Sequence, residues 1–121
     1  MTKVLVIDDN AAVRNTLRAI LQSAGYEVML AADGLAGCAA FHRERPDLIV
    51  TDIILPEQEG ITTIRRILRE QPDAKIIAIS GGARFNNVDF LQIARKFGAH
   101  EVFQKPFDPK EFLETAKKLV V

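Results

Sequence analysis

Apolar residues fall along this chain in two alternating rhythms. Short unbroken runs at Val4 to Ile7, Leu48 to Thr51 and Ile76 to Ile79 read as strands buried on both faces. Two weaker runs, Val28 to Ala31 and Val102-Phe103, read as shorter or less apolar strands. Between the runs, apolar positions recur at helical spacing. Val13, Leu17, Ile20 and Ala24 mark a first helix, and Leu35, Cys38 and Phe41 a second. Ile61, Ile64 and Leu68 mark a third, Phe90, Leu91, Ala94 and Phe97 a fourth, and Phe112, Ala116 and Leu119 a fifth. The punctuation agrees. Asn10 is a plausible N-cap, Gly25 and Gly98 read as helix stops, and Pro46 and Gln71-Pro72 end two more helices. Asp108-Pro109-Lys110-Glu111 offers an N-cap, proline at the first helical position and an acid at the third.

Strand then helix, repeated without linker or low-complexity segment, predicts a parallel sheet with helices on both faces. Right-handed crossovers leave few topologies. The most apolar runs, the first, third and fourth, belong at the centre, and the second and last at the edges. The expected fold class is therefore α/β: a doubly wound five-stranded parallel sheet, strand order 2-1-3-4-5, of flavodoxin-like type.

Length and charge narrow the picture. A chain of 121 residues is expected to form a single domain, 1–121. Sixteen basic residues balance 16 acidic ones, which argues against bulk electrostatic binding to nucleic acid or an anionic membrane. The one cysteine, Cys38, has no internal partner and reads as a small apolar packing residue. The start, Met1-Thr2-Lys3, leads into a run too short for a signal or a membrane span, so the expected setting is cytoplasmic.

In an open α/β sheet, ligands sit beyond the carboxyl ends of the strands, where the strand order reverses. Here that point lies between the first and third strands. Asp8 and Asp9 end the first, Asp52 the third, Ser80 the fourth, and Lys105 follows the last. Three carboxylates in one crevice repel one another unless a cation joins them. Mg²⁺ suits a site offering carboxylates and room for a phosphate oxygen, with Mn²⁺ as the alternative hard ion. No His or Cys lies in the set, which argues against zinc. With Lys105 and the Ser80 hydroxyl added, the constellation suits phosphoryl transfer, which proceeds mainly by alignment and charge neutralisation. Asp52 is then the acceptor, forming an acyl phosphate.

Taken together, the residues resemble the receiver domain of two-component response regulators over essentially the whole chain. The matching pieces are Asp8-Asp9, Asp52 followed by Pro56 and Gly60, Ser80-Gly81, and Lys105-Pro106-Phe107. The resemblance implies that Asp52 takes phosphate from a histidine kinase or a histidine phosphotransfer protein. It implies Mg²⁺ held by Asp9, Asp52 and the backbone carbonyl of Ile54, with Asp8 acting through water. It assigns Ser80 and Lys105 to the phosphoryl oxygens and predicts a cis Lys105-Pro106 bond. Output would pass by protein contact to a downstream target, through the last two helices and the final strand.

Three departures bear on output. Receivers often carry an aromatic residue three positions before the lysine, and here that position is Val102. Phe103 faces the other side of the strand and does not simply substitute. Two positions that tune phosphate loss are Ile54 and Gly82, neither of which offers a polar side chain. Slow, unassisted dephosphorylation is the expectation. Gly81-Gly82 leaves the loop after Ser80 room to move.

Blander readings exist for each residue alone. Asp9 suits a helix cap, Ser80 a loop hydroxyl and Lys105 a solvated surface. Arg65-Arg66 and Lys117-Lys118 read as solvated faces, and His42 and His100 as surface residues without a role. As a whole, two other functions compete: an aspartyl-phosphate phosphatase, and a pseudo-receiver that binds without being phosphorylated. The first usually needs a second acid two residues after the nucleophile, where this chain has Ile54. The second is disfavoured by the intact set of acids, Ser80 and Lys105.

Overall fold

The computed structural model describes residues 1–55, 60–81, 84–85 and 88–120, with backbone alone at 84, 85 and 88–91. Pro56 and Gly82 lie outside the described residues. The elements run β1 (Lys3–Ile7), α1 (Ala11–Ser23), β2 (Glu27–Ala31), α2 (Gly34–Glu44), β3 (Leu48–Asp52) and α3 (Gly60–Glu70). There follow β4 (Ile76–Ser80), β5 (Arg84–Phe85), β6 (Val88–Asp89), α4 (Phe90–Lys96), β7 (Glu101–Gln104) and α5 (Pro109–Leu119).

The main sheet has five parallel strands in the order β2-β1-β3-β4-β7. Counting its strands in chain order, this is the expected 2-1-3-4-5. Burial follows the hydrophobic runs: every residue of β3 and β4 is buried, whereas β2 and β7 at the edges are only partly so. One feature went unforeseen. The connection after β4 carries a two-residue antiparallel pair, Arg84↔Asp89 and Phe85↔Val88. Two residues per strand are too few to show a period of two in the sequence.

Because strand side chains alternate, the sheet makes two cores. Leu5, Ile7, Ile49, Ile76 and Ala78 face α2, α3 and α4, meeting Phe41, Ile64 and Ala94. Val4, Val6, Val50, Ile77 and Ile79 face α1 and α5, meeting Leu17, Leu21, Phe112 and Ala116. Cys38 packs against the first of these cores as expected. Leu35, counted among the apolar positions of its helix, stays 49% exposed, because Gly34, Gly37, Ala40 and Phe41 supply the buried face of α2 instead.

The caps follow the local chemistry. The Asn10 side chain accepts from the Val13 amide, and those of Asp33 and Asp108 accept from Ala36 and Lys110. Gly25 ends α1 with φ of 88°, a left-handed conformation that glycine adopts freely. Gly60 answers a different need. A Cβ there would collide with the backbone of Asp52 and Ile53, so only glycine lets α3 begin this close to the end of β3.

Candidate phosphoacceptor site

The site forms where four strands stop. Asp8 follows β1, and its amide donates to the Ala31 carbonyl at 3.1 Å, at the end of the β1–β2 ladder. Asp52 ends β3, and Ser80 ends β4. Lys105 follows β7, its amide donating to the Ser80 carbonyl at 2.7 Å. The backbone ladders therefore fix the origin of each side chain. The Lys105-Pro106 peptide is cis, as the resemblance implied.

Three carboxylates converge. Asp8, Asp9 and Asp52 each offer an oxygen, and these atoms all lie within 4.8 Å of one another. Asp8 is fully buried, Asp52 is 6% exposed, and Asp9 is exposed. The Lys105 ammonium joins the two buried acids, donating at 2.8 Å to Asp8 Oδ2 and at 2.8 Å to Asp52 Oδ2. The Asn10 amide donates to Asp8 Oδ1 at 2.9 Å, and the Ile54 amide to Asp52 Oδ1 at 3.1 Å. Since Asn10 is the N-cap of α1, Asp9 is not occupied in capping that helix.

Burial pushes the Asp52 carboxyl above the ordinary carboxylate range, and the Asp8 charge adds to the rise. The Lys105 ammonium and the Ile54 amide pull the other way without cancelling it. For Lys105, burial disfavours the charge, but the hydrogen bonds and charges of Asp52 and Asp8 outweigh it. The ammonium is held above its usual value. The arrangement is one lysine serving two buried carboxylates, with a third acid at the mouth.

The remaining residues singled out from sequence sit around this centre. Ser80 is fully buried at the end of β4. Gly81 is exposed, with space for a Cβ up to 4.0 Å from Lys105 Cδ. Ile54 lies at the mouth and is 56% exposed, an apolar side chain beside a charged centre. Val102 packs on the α4 side of the sheet and Phe103 on the α5 side. Two residues were missed by sequence reasoning. The Arg14 guanidinium donates to the Asp8 carbonyl at 2.6 Å, a contact signalled in sequence only by a basic residue one turn into α1. His100 is not the idle surface residue expected: its Nδ1 accepts from the Ile76 amide at 3.2 Å.

A doubly wound parallel sheet with an acidic cluster and a lysine beyond its carboxyl ends defines the class. The chain belongs to the response regulator receiver domain family, whose family model matches residues 4–117. It is 35% identical over 118 residues to the chemotaxis protein CheY of Thermotoga maritima, covering 97% of this chain and 96% of that one. It is 37% identical over 109 residues to the probable transcriptional regulator ycf27 of Porphyridium aerugineum, covering 90% of this chain. Of that longer relative it spans 44%. A CheY-like receiver domain crystal structure from Methanospirillum hungatei superposes with a TM-score of 0.88 at 32% identity, covering 99% and 94% of the two chains. The chain is thus a receiver domain of two-component signalling. Receiver domains bind Mg²⁺ through an acidic pocket, and an acidic cluster is present among the described residues. None of the described helices is long and apolar enough to cross a membrane.

Proposed function

We propose that this receiver accepts a phosphoryl group on Asp52 from a phosphohistidine donor, either a histidine kinase or a histidine phosphotransfer protein. The observation that carries the reading is the Lys105 ammonium, 2.8 Å from both Asp52 and Asp8, with Asp9 alongside. An Asp52 oxygen attacks the phosphorus. The bond from phosphorus to the donor's imidazole nitrogen breaks, and the imidazole leaves with the electron pair and takes up a proton. Asp52 Oδ1, held by the Ile54 amide, and Oδ2, held by Lys105, are kept in a fixed plane for that approach. As the acyl phosphate forms, Lys105 shifts from carboxylate to phosphoryl oxygen, and the Ser80 hydroxyl donates to another.

The donor set suits a hard divalent cation: carboxylate oxygens from Asp8, Asp9 and Asp52, without His or Cys. Asp9, Asp52 and the Ile54 carbonyl would hold Mg²⁺ or Mn²⁺ directly, and Asp8 through water. When bound, the ion neutralises charge on the transferring phosphoryl group. An apolar cleft of about 400 Å³, lined by Val13, Thr16, Lys105, Pro106 and Phe107 among others, opens beside the site and offers the donor protein a seat. Output follows by contact with a downstream protein, with no nucleic acid bound by this domain, in a cytoplasmic setting. The domain assists only its own phosphorylation and dephosphorylation. The apolar Ile54 supports this over a phosphatase, which needs an acid there.

Incubation with a small acyl phosphate and Mg²⁺, followed by intact mass, tests the proposal. One phosphoryl group on the unaltered protein and none on Asp52→Asn is the expected pair. Turnover of phosphomonoesters would instead support a phosphatase, and no modification by any donor a pseudo-receiver. Because neither Ile54 nor Gly82 has a polar side chain to position water, the acyl phosphate should be long-lived. Polar residues at both positions should shorten its lifetime, and an unchanged lifetime sinks that idea.

A further inference from the structure

Asp8 is fully buried, and each of its polar groups has a partner. Its amide donates to Ala31, Oδ1 accepts from the Asn10 amide, and Oδ2 accepts from Lys105. The last, its carbonyl, accepts from the Arg14 guanidinium at 2.6 Å. A buried carbonyl requires a partner, and one just past the end of a strand has left the regular ladder. Arg14 reaches it because side chains on a helix lean toward its N-terminus. From the first turn of α1, the guanidinium folds back over the junction that carries Asp8 and Asp9. Arginine stays charged at any ordinary pH, so the contact is a charge-assisted hydrogen bond, short and strong for its kind.

We infer that Arg14 is a positioning residue for the cation site: it fixes the β1–α1 turn so that Asp8 and Asp9 face Asp52. This rests on the reading of that site given above. Asp9 is exposed and sits between the two anchored residues Asp8 and Asn10, so its carboxylate takes its place from the backbone of this turn. Two effects of Arg14 oppose each other. Its positive charge repels a dication, and its hydrogen bond arranges the ligands that hold one. If charge were its whole contribution, removing it would tighten cation binding. If it positions the turn, removing it weakens binding.

Mg²⁺ alone, titrated calorimetrically into the full chain, separates the two. Arg14→Met should bind Mg²⁺ about tenfold more weakly, at the lower end of what outer-shell partners of a metal contribute. Arg14→Lys, which keeps the charge and a donor, should recover much of the loss. Binding by Arg14→Met as tight as, or tighter than, the unaltered protein overturns the inference. So does a lowered urea midpoint with unchanged Mg²⁺ affinity, the mark of a merely structural contact. Should Arg14→Met not fold, Arg14→Ala takes its place, read by the same two outcomes. Asp9→Asn serves as the reference. If it leaves Mg²⁺ binding intact, the cation site itself has been misread and the inference falls with it. If it abolishes binding while Arg14→Met does not weaken it, only the role of Arg14 falls.

Discussion

The two ends of the sheet carry similar charged groups and put them to different ends. At the amino ends of the strands, Lys3 lies 3.8 Å from Glu44 and 4.0 Å from Glu27, with side chains 35–50% exposed. Nearby His42 and Arg45 both meet Glu70, on side chains that also reach solvent. Water screens such pairs, and each is worth about 0–1 kcal/mol. At the carboxyl ends, Lys105 also serves two carboxylates, but Asp8 is fully buried and Asp52 nearly so. Burying charge is unfavourable unless every group is paired. A lysine between two acids is therefore surface decoration at one end and a buried, paired charge centre at the other. The difference lies in burial, not in residue type.

Removing each lysine should expose the contrast most strongly. Lys105→Met leaves two buried carboxylates facing each other without a cation. Breaking a buried pair of this kind costs roughly 3–5 kcal/mol. Lys3→Met should cost about 1 kcal/mol or less, an effect that fades further in high salt. Urea unfolding at pH 7.5 with a chelator present measures both. Millimolar Mg²⁺ should return part of the stability lost in Lys105→Met, since the ion takes the place of the ammonium, and do nothing for Lys3→Met. Equal losses in the two variants would erase the distinction between the two ends.

How far the sequence reached follows the same division between local and distant causes. Caps at Asn10 and Asp108 and the stop at Gly25 were legible, because each depends on a few neighbouring residues. The sheet order was legible because unbroken apolar runs have to be central. So was the gathering of Asp8, Asp9, Asp52 and Lys105 on one rim, since strand ends share a side in a parallel sheet. That Lys105 bridges Asp8 as well as Asp52 was not legible, nor was the reach of Arg14 to the Asp8 carbonyl. These depend on the directions of side chains across the fold, which spacing does not encode. The β5–β6 pair was too short to leave a pattern. On β7 the alternation did hold. Val102 joins the α4 side, while the Phe103 ring lies 5.8 Å from Phe107 and 5.7 Å from Phe112 on the other. The aromatic weight near the site is thus committed to α5.

A smaller effect of opposite sign is expected at Asp52. Its carboxyl is raised in the fold, first by burial. A raised folded value means that folding favours the protonated acid. That contribution is complete below the unfolded value, near 3.8, and is lost as pH rises through the folded value. At neutral pH the ionised carboxylate therefore works against folding. Asp52→Asn removes it while keeping the shape, so the variant should be more stable than the unaltered protein at pH 7. The gain should shrink as pH falls toward the carboxylate range. Urea midpoints from pH 4 to 8 in chelator give the curve. A variant less stable at pH 7 would mean that the Lys105–Asp52 contact outweighs the burial it requires.

The smallest effect belongs to the amino ends, where one histidine is less ordinary than its neighbours. His100 follows α4, and its amide donates to the Ile76 carbonyl at 2.8 Å while its Nδ1 accepts from the Ile76 amide. An accepting Nδ1 requires the neutral ring, with its proton on Nε2. Burial lowers the His100 value below the ordinary 6.5, Lys75 lowers it further, and Glu101 partly opposes them. For a histidine depressed in the fold, the unfolded chain binds the extra proton first, so stability is complete above pH 6.5 and falls as pH drops below it. His100→Gln retains an acceptor without a titrating ring. Between pH 7.5 and 5.5 the unaltered protein should lose more stability than this variant does. The loss should stay within the range of surface effects, because the ring still reaches solvent. If the two curves run parallel, His100 titrates as freely as an exposed ring, and the amino ends of the sheet hold no perturbed group at this position.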